Sequence, residues 1–157
     1  MIQTTIKGCG ICLQSKPGRN KHPSLLQPLL VPDGVWQVIT MDFIEGLLKS
    51  GQFNCILAVV YKFSKYSHFI PLSHPFSAYD VDSSFMWNVY KLHGLPKFII
   101  SNRDDFTSQL WEQLFTRSGT QLQLSIAYHP QVGGQTETVN QSLEIYLRCF
   151  VHAMPVN

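Results

Sequence analysis

The pattern of apolar and polar positions divides this chain near residue 34. Upstream, Gly8, Gly10, Pro17, Gly18, Pro23, Pro28, Pro32 and Gly34 leave no room for a long periodic segment, so a loop-rich stretch is expected. Downstream, the β-branched apolar run Val35 to Ile44 suits a central strand. Asn54 to Tyr61 is a second strand and Ser67 to Leu72 a third, joined by the tight connection Lys62–Tyr66. Ser77, with Asp80 three residues later, predicts a capped helix start, and Val81, Phe85, Val89 and Leu92 follow along one stripe. Gly94 and Pro96 stop that helix, and Lys97 to Ser101 reads as a short strand. Thr107 or Ser108 caps a further helix with Leu110, Trp111, Leu114 and Phe115 inward and Gly119 at its close. Gln121 to Ile126 alternates as a strand. A last helix is predicted from about Gln135 to His152, with Val139, Leu143, Tyr146, Leu147 and Phe150 on its apolar face.

The order β-β-β-α-β-α-β-α places the chain in the α/β class. Three consecutive strands with short links predict an antiparallel meander, and strands that return through helices should pair in parallel. A mixed five-stranded sheet flanked by helices follows. Composition narrows the class further. With 45% apolar and 14% charged residues among 157, the chain is not intrinsically disordered. The apolar stretch Cys55 to Val60 is far short of the ~20 residues of a membrane-spanning helix. Residues 1–8 lack the apolar region of a signal peptide, so an intracellular domain without a membrane partner is expected.

Charge is unevenly placed. Lys7, Lys16, Arg19 and Lys21 give residues 1–21 a charge of +4 with no acid, while the remainder carries −2. Such an arm is either a solvated tail or a phosphate-binding segment. Cys55 and Cys149 lie in apolar surroundings and are expected to be buried and inert. Cys9-Gly10-Ile11-Cys12 has the spacing of half a tetrahedral zinc site, but His22 has no partner at ligand spacing, so zinc binding is not expected from this chain alone.

Three acidic features stand out. Asp42 sits near the end of an apolar strand, where its carboxylate must face solvent or an ion. Glu137 stands near the start of the last helix, where it also suits the helix dipole. Between them Ser101-Asn102-Arg103-Asp104-Asp105-Phe106 forms a polar cluster directly after a buried strand. Carboxylates gathered from such strand ends would hold magnesium or manganese for phosphoryl transfer. Glu144 and Arg148, four residues apart, form a solvent-side helix pair.

The local sequences around these acids carry a resemblance. Trp36-Gln37-Val38-Ile39-Thr40-Met41-Asp42-Phe43-Ile44-Glu45-Gly46-Leu47 resembles the first active-site strand of integrases from gypsy-type LTR retrotransposons. Phe63-Ser64-Lys65-Tyr66-Ser67-His68-Phe69-Ile70, Lys91-Leu92-His93-Gly94-Leu95-Pro96, Ala127-Tyr128-His129-Pro130-Gln131 and Gly134-Gln135-Thr136-Glu137 are similar to later parts of the same core, in the same order. The segment from Asn140 to Phe150 fits as well.

The resemblance implies an RNase H-like fold and an active site of two Asp and one Glu that binds two magnesium (or manganese) ions for DNA end processing and strand transfer. By motif, Asp42 is the first Asp, Asn102 occupies the place of the second, and Glu137 is the Glu. Asn102 has an amide oxygen but no charge, and its NH2 group repels a cation, so the resemblance implies impaired catalysis. The loop between Asn102 and Phe106 is one residue shorter than in the family. Asp104 or Asp105 as a substitute ligand is disfavoured, because metal sites tolerate little misplacement. Tyr61 stands where the family commonly has an Asp.

At the ends, Cys9 and Cys12 match the cysteine half of the family's zinc module, whose histidine half is absent here. Residues 1–32 are thus expected to be a remnant of that module with a linker, and residues 33–157 a core shortened at its C-terminus. DNA is the implied partner, with Lys16, Arg19, Lys21, Asn140, Gln141 and Arg148 as the implied contacts, and the nucleus is the implied place of action. The family's homo-oligomers are not expected of a chain shortened at both ends. The alternatives are a non-catalytic DNA-binding or interaction module and a decayed remnant of a retroelement.

Overall fold

The computed structural model of the chain describes residues 8–10, 34–101, 119–124 and 130–153, those at 122–124, 130–137 and 152–153 by their backbone alone. Strands β1 (Val38–Ile44), β2 (Cys55–Tyr61), β3 (Ser67–Leu72), β4 (Phe98–Ser101) and β5 (Gln121–Leu124) form one sheet in the order β3-β2-β1-β4-β5. The first three form an antiparallel meander, while β4 lies parallel to β1 and β5 parallel to β4. The predicted mixed five-stranded sheet is therefore present. A parallel neighbour cannot be reached by a tight turn, and the chain crosses from β3 to β4 through a helix.

That crossover begins at Ala78, where the predicted cap forms. The Ser77 hydroxyl accepts the Asp80 N–H at 3.3 Å, and the Asp80 carboxylate accepts the Ser77 N–H at 2.7 Å. The Ser77 hydroxyl, which donates to the Asp80 carboxylate at 2.7 Å, and then the Ser77 N–H hold the Asp80 carboxyl below its ordinary value. Helix α1 (Ala78–Phe85) continues through a π-helical turn, Met86–Tyr90, into α2 (Lys91–His93). The core lies between this segment and one sheet face: Val81, Phe85 and Val89 pack with Ile39, Met41 and Phe43 of β1, with Leu57 and Val59 of β2 and with Ile99 of β4.

The π-helical turn explains one departure from the predicted pattern. A regular helix would place Leu92 on the stripe of Val81, Phe85 and Val89, but Leu92 is 65% exposed and His93 is half-buried instead. The wider turn stretches the repeat from mixed three- and four-residue steps to steps of four. The first strand also starts later than expected, at Val38. Trp36 has a φ of 59°, a left-handed backbone that cannot continue a strand.

The last helix, α3 (Pro130–Ala153), begins five residues before the predicted Gln135. Proline suits a first helical position because its missing N–H would have no partner there. Along α3, Val139, Leu143 and Leu147 are half-buried as predicted, but Tyr146 and Phe150 are exposed and stack on each other at 6.2 Å. Asn140, expected on the solvent side, is buried. Cys55 is buried as expected, and Cys149 only half-buried. The helix predicted at 107–118 and the end of the strand predicted to Ile126 lie outside the described residues.

By backbone contacts the chain separates into two compact units, Pro28–Glu137 and a second made of Met1–Gln27 with Thr138–Asn157. Among the described residues no helix is long and apolar enough to cross a membrane.

Phe85 is fully buried at the centre of the α1–sheet contact. Truncation to Phe85→Ala should cost about 3–5 kcal/mol through lost burial and the cavity left behind. A chemical-denaturation midpoint unchanged from the unsubstituted chain would contradict this packing.

Candidate functional site

Asp42 lies in a strand built for burial, yet it carries the only charge on β1. Its cross-strand partner on β2 is Ala58, and directly opposed residues share a face. That face is the one away from α1, since the core cluster takes Ile39, Met41 and Phe43 from the alternate positions of β1. Ala58 contributes only a methyl group there. Asp42 is half-buried, and its Oδ1 accepts the N–H of Phe43 at 2.9 Å, which fixes the carboxylate relative to its own backbone.

The sheet register gives the second element of the site. In the parallel pair, Met41 faces Ser101 as the last couple, so Asp42 stands one residue beyond it at the C-terminal end of β1. Asn102 follows Ser101 directly in the chain and lies outside the described residues. Glu137 is within α3, described by its backbone alone. Among the described residues no group of three or more His, Cys, Asp or Glu is placed to hold a metal ion.

The other implied contacts distribute as follows. Gln141 and Arg148 are exposed on α3, and Arg148 pairs with Glu144 at 3.6 Å in the predicted four-residue spacing. Asn140, on the same helix, is buried. Cys9 is half-buried, while Cys12, Lys16, Arg19 and Lys21 lie outside the described residues. A carboxylate that the sequence pattern did not single out is Asp82 of α1. Burial pushes its carboxyl up, and its Oδ1 is buried with no hydrogen-bond partner among the described residues.

A ring cluster at the opposite end of the sheet was equally unmarked in the pattern. Trp36, just before β1, is sandwiched between Tyr61 at 5.3 Å and His93 at 3.7 Å, both nearly parallel to it. Tyr66 meets Trp36 edge-on at 5.8 Å. His68 of β3 and His93 of α2 bring their Nε2 atoms to 2.9 Å. Their centroids are 5.1 Å apart, which fits an almost head-on nitrogen contact, so one ring donates its N–H to the other. The separation of 25 residues between these histidines hides the pairing from any local motif. Tyr61, in place of the Asp common in the resembling family, is part of this stack.

No family model matches the chain. Its sequence is 34% identical over 155 residues to the Tf2-3 and Tf2-4 transposon polyproteins of Schizosaccharomyces pombe, a match covering 98% of this chain. The chain spans about 12% of the length of those relatives. Among solved structures, it resembles the simian T-cell lymphotropic virus intasome in complex with the PP2A regulatory subunit B56 gamma, with a TM-score of 0.66 at 17% identity over 99% of this chain and 54% of that one. It also resembles the HTLV-2 integrase catalytic core domain in complex with magnesium, with a TM-score of 0.59 at 18% identity over 77% of this chain and 76% of that one.

The histidine pair has a measurable consequence. His68 is held below its ordinary value of 6.5 by burial and then by the charge of His93, and His93 by burial. A base lowered in the folded state binds fewer protons there than in the unfolded chain. The stability it contributes is therefore present above about pH 6.5 and lost as pH falls through the folded values. Denaturation profiles between about pH 7.5 and about pH 5 should show this decline, and His93→Gln should flatten it. An identical slope in the variant would remove the pair from the explanation.

Proposed function

We propose that the chain, similar over 98% of its length to retrotransposon polyproteins and sharing the fold of integrase catalytic cores, is an integrase catalytic core of the gypsy type for DNA strand processing by phosphoryl transfer, impaired in catalysis by Asn102. The observation that supports this reading best is the position of Asp42: a half-buried carboxylate at the C-terminal end of a central strand, one residue past the last parallel couple. Ligands and reacting groups in open α/β sheets gather at the carboxyl ends of strands.

The donor set is all oxygen: the Asp42 carboxylate, the Asn102 amide and the Glu137 carboxylate. Hard oxygen donors fit magnesium or manganese and do not favour zinc. Bound there, such a metal would supply activation of a water or a 3′-hydroxyl and neutralise charge on the phosphate. Asp42 would hold it with a carboxylate whose orientation is already set by the Phe43 N–H. Asn102 would offer a neutral oxygen, so the set carries one negative charge fewer than two Asp and one Glu. The site can then bind DNA while holding its metal weakly.

In this reading residues 33–157 are the core, and residues 1–32 derive from a zinc-binding module of which Cys9 and Cys12 are the cysteine half. The partner is DNA, contacted through Lys16, Arg19, Lys21, Gln141 and Arg148, and the place of action is the nucleus. Asn140 is set apart from these contacts by its burial.

The test is strand transfer and disintegration on labelled DNA ends with magnesium or manganese. The chain as it stands should run at least about 100-fold slower than its Asn102→Asp version, since a lost metal contact removes several kcal/mol of transition-state stabilisation. Adding Asp42→Asn to that version should abolish the gain. Equal rates for the chain and Asn102→Asp would overturn the assignment of Asn102.

A further inference from the structure

Four of the five described lysines of the sheet unit collect at the end away from Asp42. Lys62 donates its backbone N–H to the Val38 carbonyl at 3.3 Å, and Lys97 donates to the Gln37 carbonyl at 2.9 Å, so the two flank the start of β1. Lys65, three residues past Lys62, donates to the Tyr61 carbonyl at 2.9 Å and closes the turn between β2 and β3. Lys91 stands on α2, which the His93–His68 contact fastens to β3. Among the described residues that make up this end, 34–38, 61–68, 87–98 and 119–121, four are lysine and none is Asp or Glu. The acids Asp42 and Glu45 lie at the other end of β1 or just past it.

Exposed rings are interleaved with those lysines. Phe63 is 66% and Tyr66 58% exposed, both on the turn that carries Lys62 and Lys65. Trp87 is 68% exposed, with the Lys91 Nζ at 5.3 Å from its ring centroid. Tyr66 is not a loose side chain: its ring is braced edge-on by Trp36, His68 and His93 at 5.8, 5.4 and 6.2 Å. Lys65 has a φ of 62°, which closes the turn tightly between the two rings. A rigid platform of this kind loses little side-chain freedom when a flat group stacks on it.

Lysines alone would suit any polyanion. Aromatic faces set between them suit one in which phosphates alternate with exposed flat rings, which is a single nucleic-acid strand. A duplex keeps its base faces stacked inside and offers the aromatic side chains nothing, and an acidic peptide offers carboxylates without the rings. We propose that this end of the sheet is a docking surface for single-stranded DNA, separate from the Asp42 site, with phosphates on Lys62, Lys65, Lys91 and Lys97 and unpaired bases on Phe63 and Tyr66. It goes beyond the phosphoryl-transfer reading and does not depend on metal at Asp42.

Anisotropy titrations of the full chain with labelled oligothymidylate, and with a duplex of equal length, test this. The single strand should bind more tightly. Phe63→Ala should weaken oligothymidylate binding by about fivefold or more and leave duplex binding unchanged. Lys65→Asn with Lys91→Gln, both at exposed positions and with asparagine tolerant of the left-handed backbone, should lower the salt slope of log affinity by about 1.4, near 0.7 per lost phosphate contact on a single strand. Lys49→Gln, at the other end of the sheet, should leave the affinity unchanged, and melting curves identify any variant that fails to fold. Tighter duplex binding, or a Phe63→Ala variant that folds and binds oligothymidylate normally, would overturn the proposal. Loss of binding in Lys49→Gln would overturn it too, whereas a failure of strand transfer with oligothymidylate binding intact bears only on the phosphoryl-transfer reading.

Discussion

The parallel pairing of β1 with β4 is the constraint on which the rest of the structure depends. It joins segments that are 60 residues apart in the chain, Val38 with Phe98 through Met41 with Ser101. A parallel partner requires a crossover, so the pairing also demands the helical segment from Ala78 to His93 and gives it an apolar face to cover. Phe85 fills the middle of that contact. The same register decides where the carboxylate of Asp42 stands, because the ladder ends one residue before it. The sheet would otherwise have no reason to carry a charged residue on its central strand.

The ring cluster meets a different demand at the other end of the sheet. A helix that ends over a strand needs something to hold its last turn, and α2 is short, with no buried residue of its own. The His68–His93 bond and the Trp36 stack supply the attachment. Trp36 adopts a left-handed backbone to reach this position, a conformation that costs on the order of 1–3 kcal/mol for a residue with a side chain. Contact with two rings offsets that cost, since aromatic pairs contribute about 0.5–1.5 kcal/mol each beyond the area they bury. The attachment is polar at its centre and so depends on protonation, unlike the apolar contact under Phe85.

Charge follows the same division. Apolar packing occupies the middle of the sheet, and the ionisable groups are displaced to its two ends, where water screens them and strand ends leave backbone groups to be satisfied. One end carries Asp42 and the other carries lysines between exposed rings. A fold of this kind can present chemically different surfaces without altering its core, because the residues that decide each surface lie outside the buried cluster.

Much of this was legible in the sequence. The alternating and β-branched runs located all five strands, and Ser77 with Asp80 located the start of α1, because those features act between neighbours in the chain. The place of Asp42 near the end of an apolar strand, and the motif resemblance around it, were visible for the same reason. Other features were not. Leu92 turned outward because a π-helical turn changed the helical repeat, which no stripe of apolar residues announces. Val35 fell outside the strand because the Trp36 ring found partners 25 and 57 residues further along the chain. Asn140 proved buried although Gln141 and Glu144, near it on the helix, are polar. The sequence by itself determined which of the described segments are strands and helices and where the carboxylate sits along β1, since local sterics and periodicity decide both. Only the tertiary structure decided that His68 meets His93, that Ala58 stands opposite Asp42, and that the lysines gather at one end of the sheet. Those facts depend on strand register and on the path of the crossover, which arise from packing between distant segments and leave no trace in the spacing of residues along the chain.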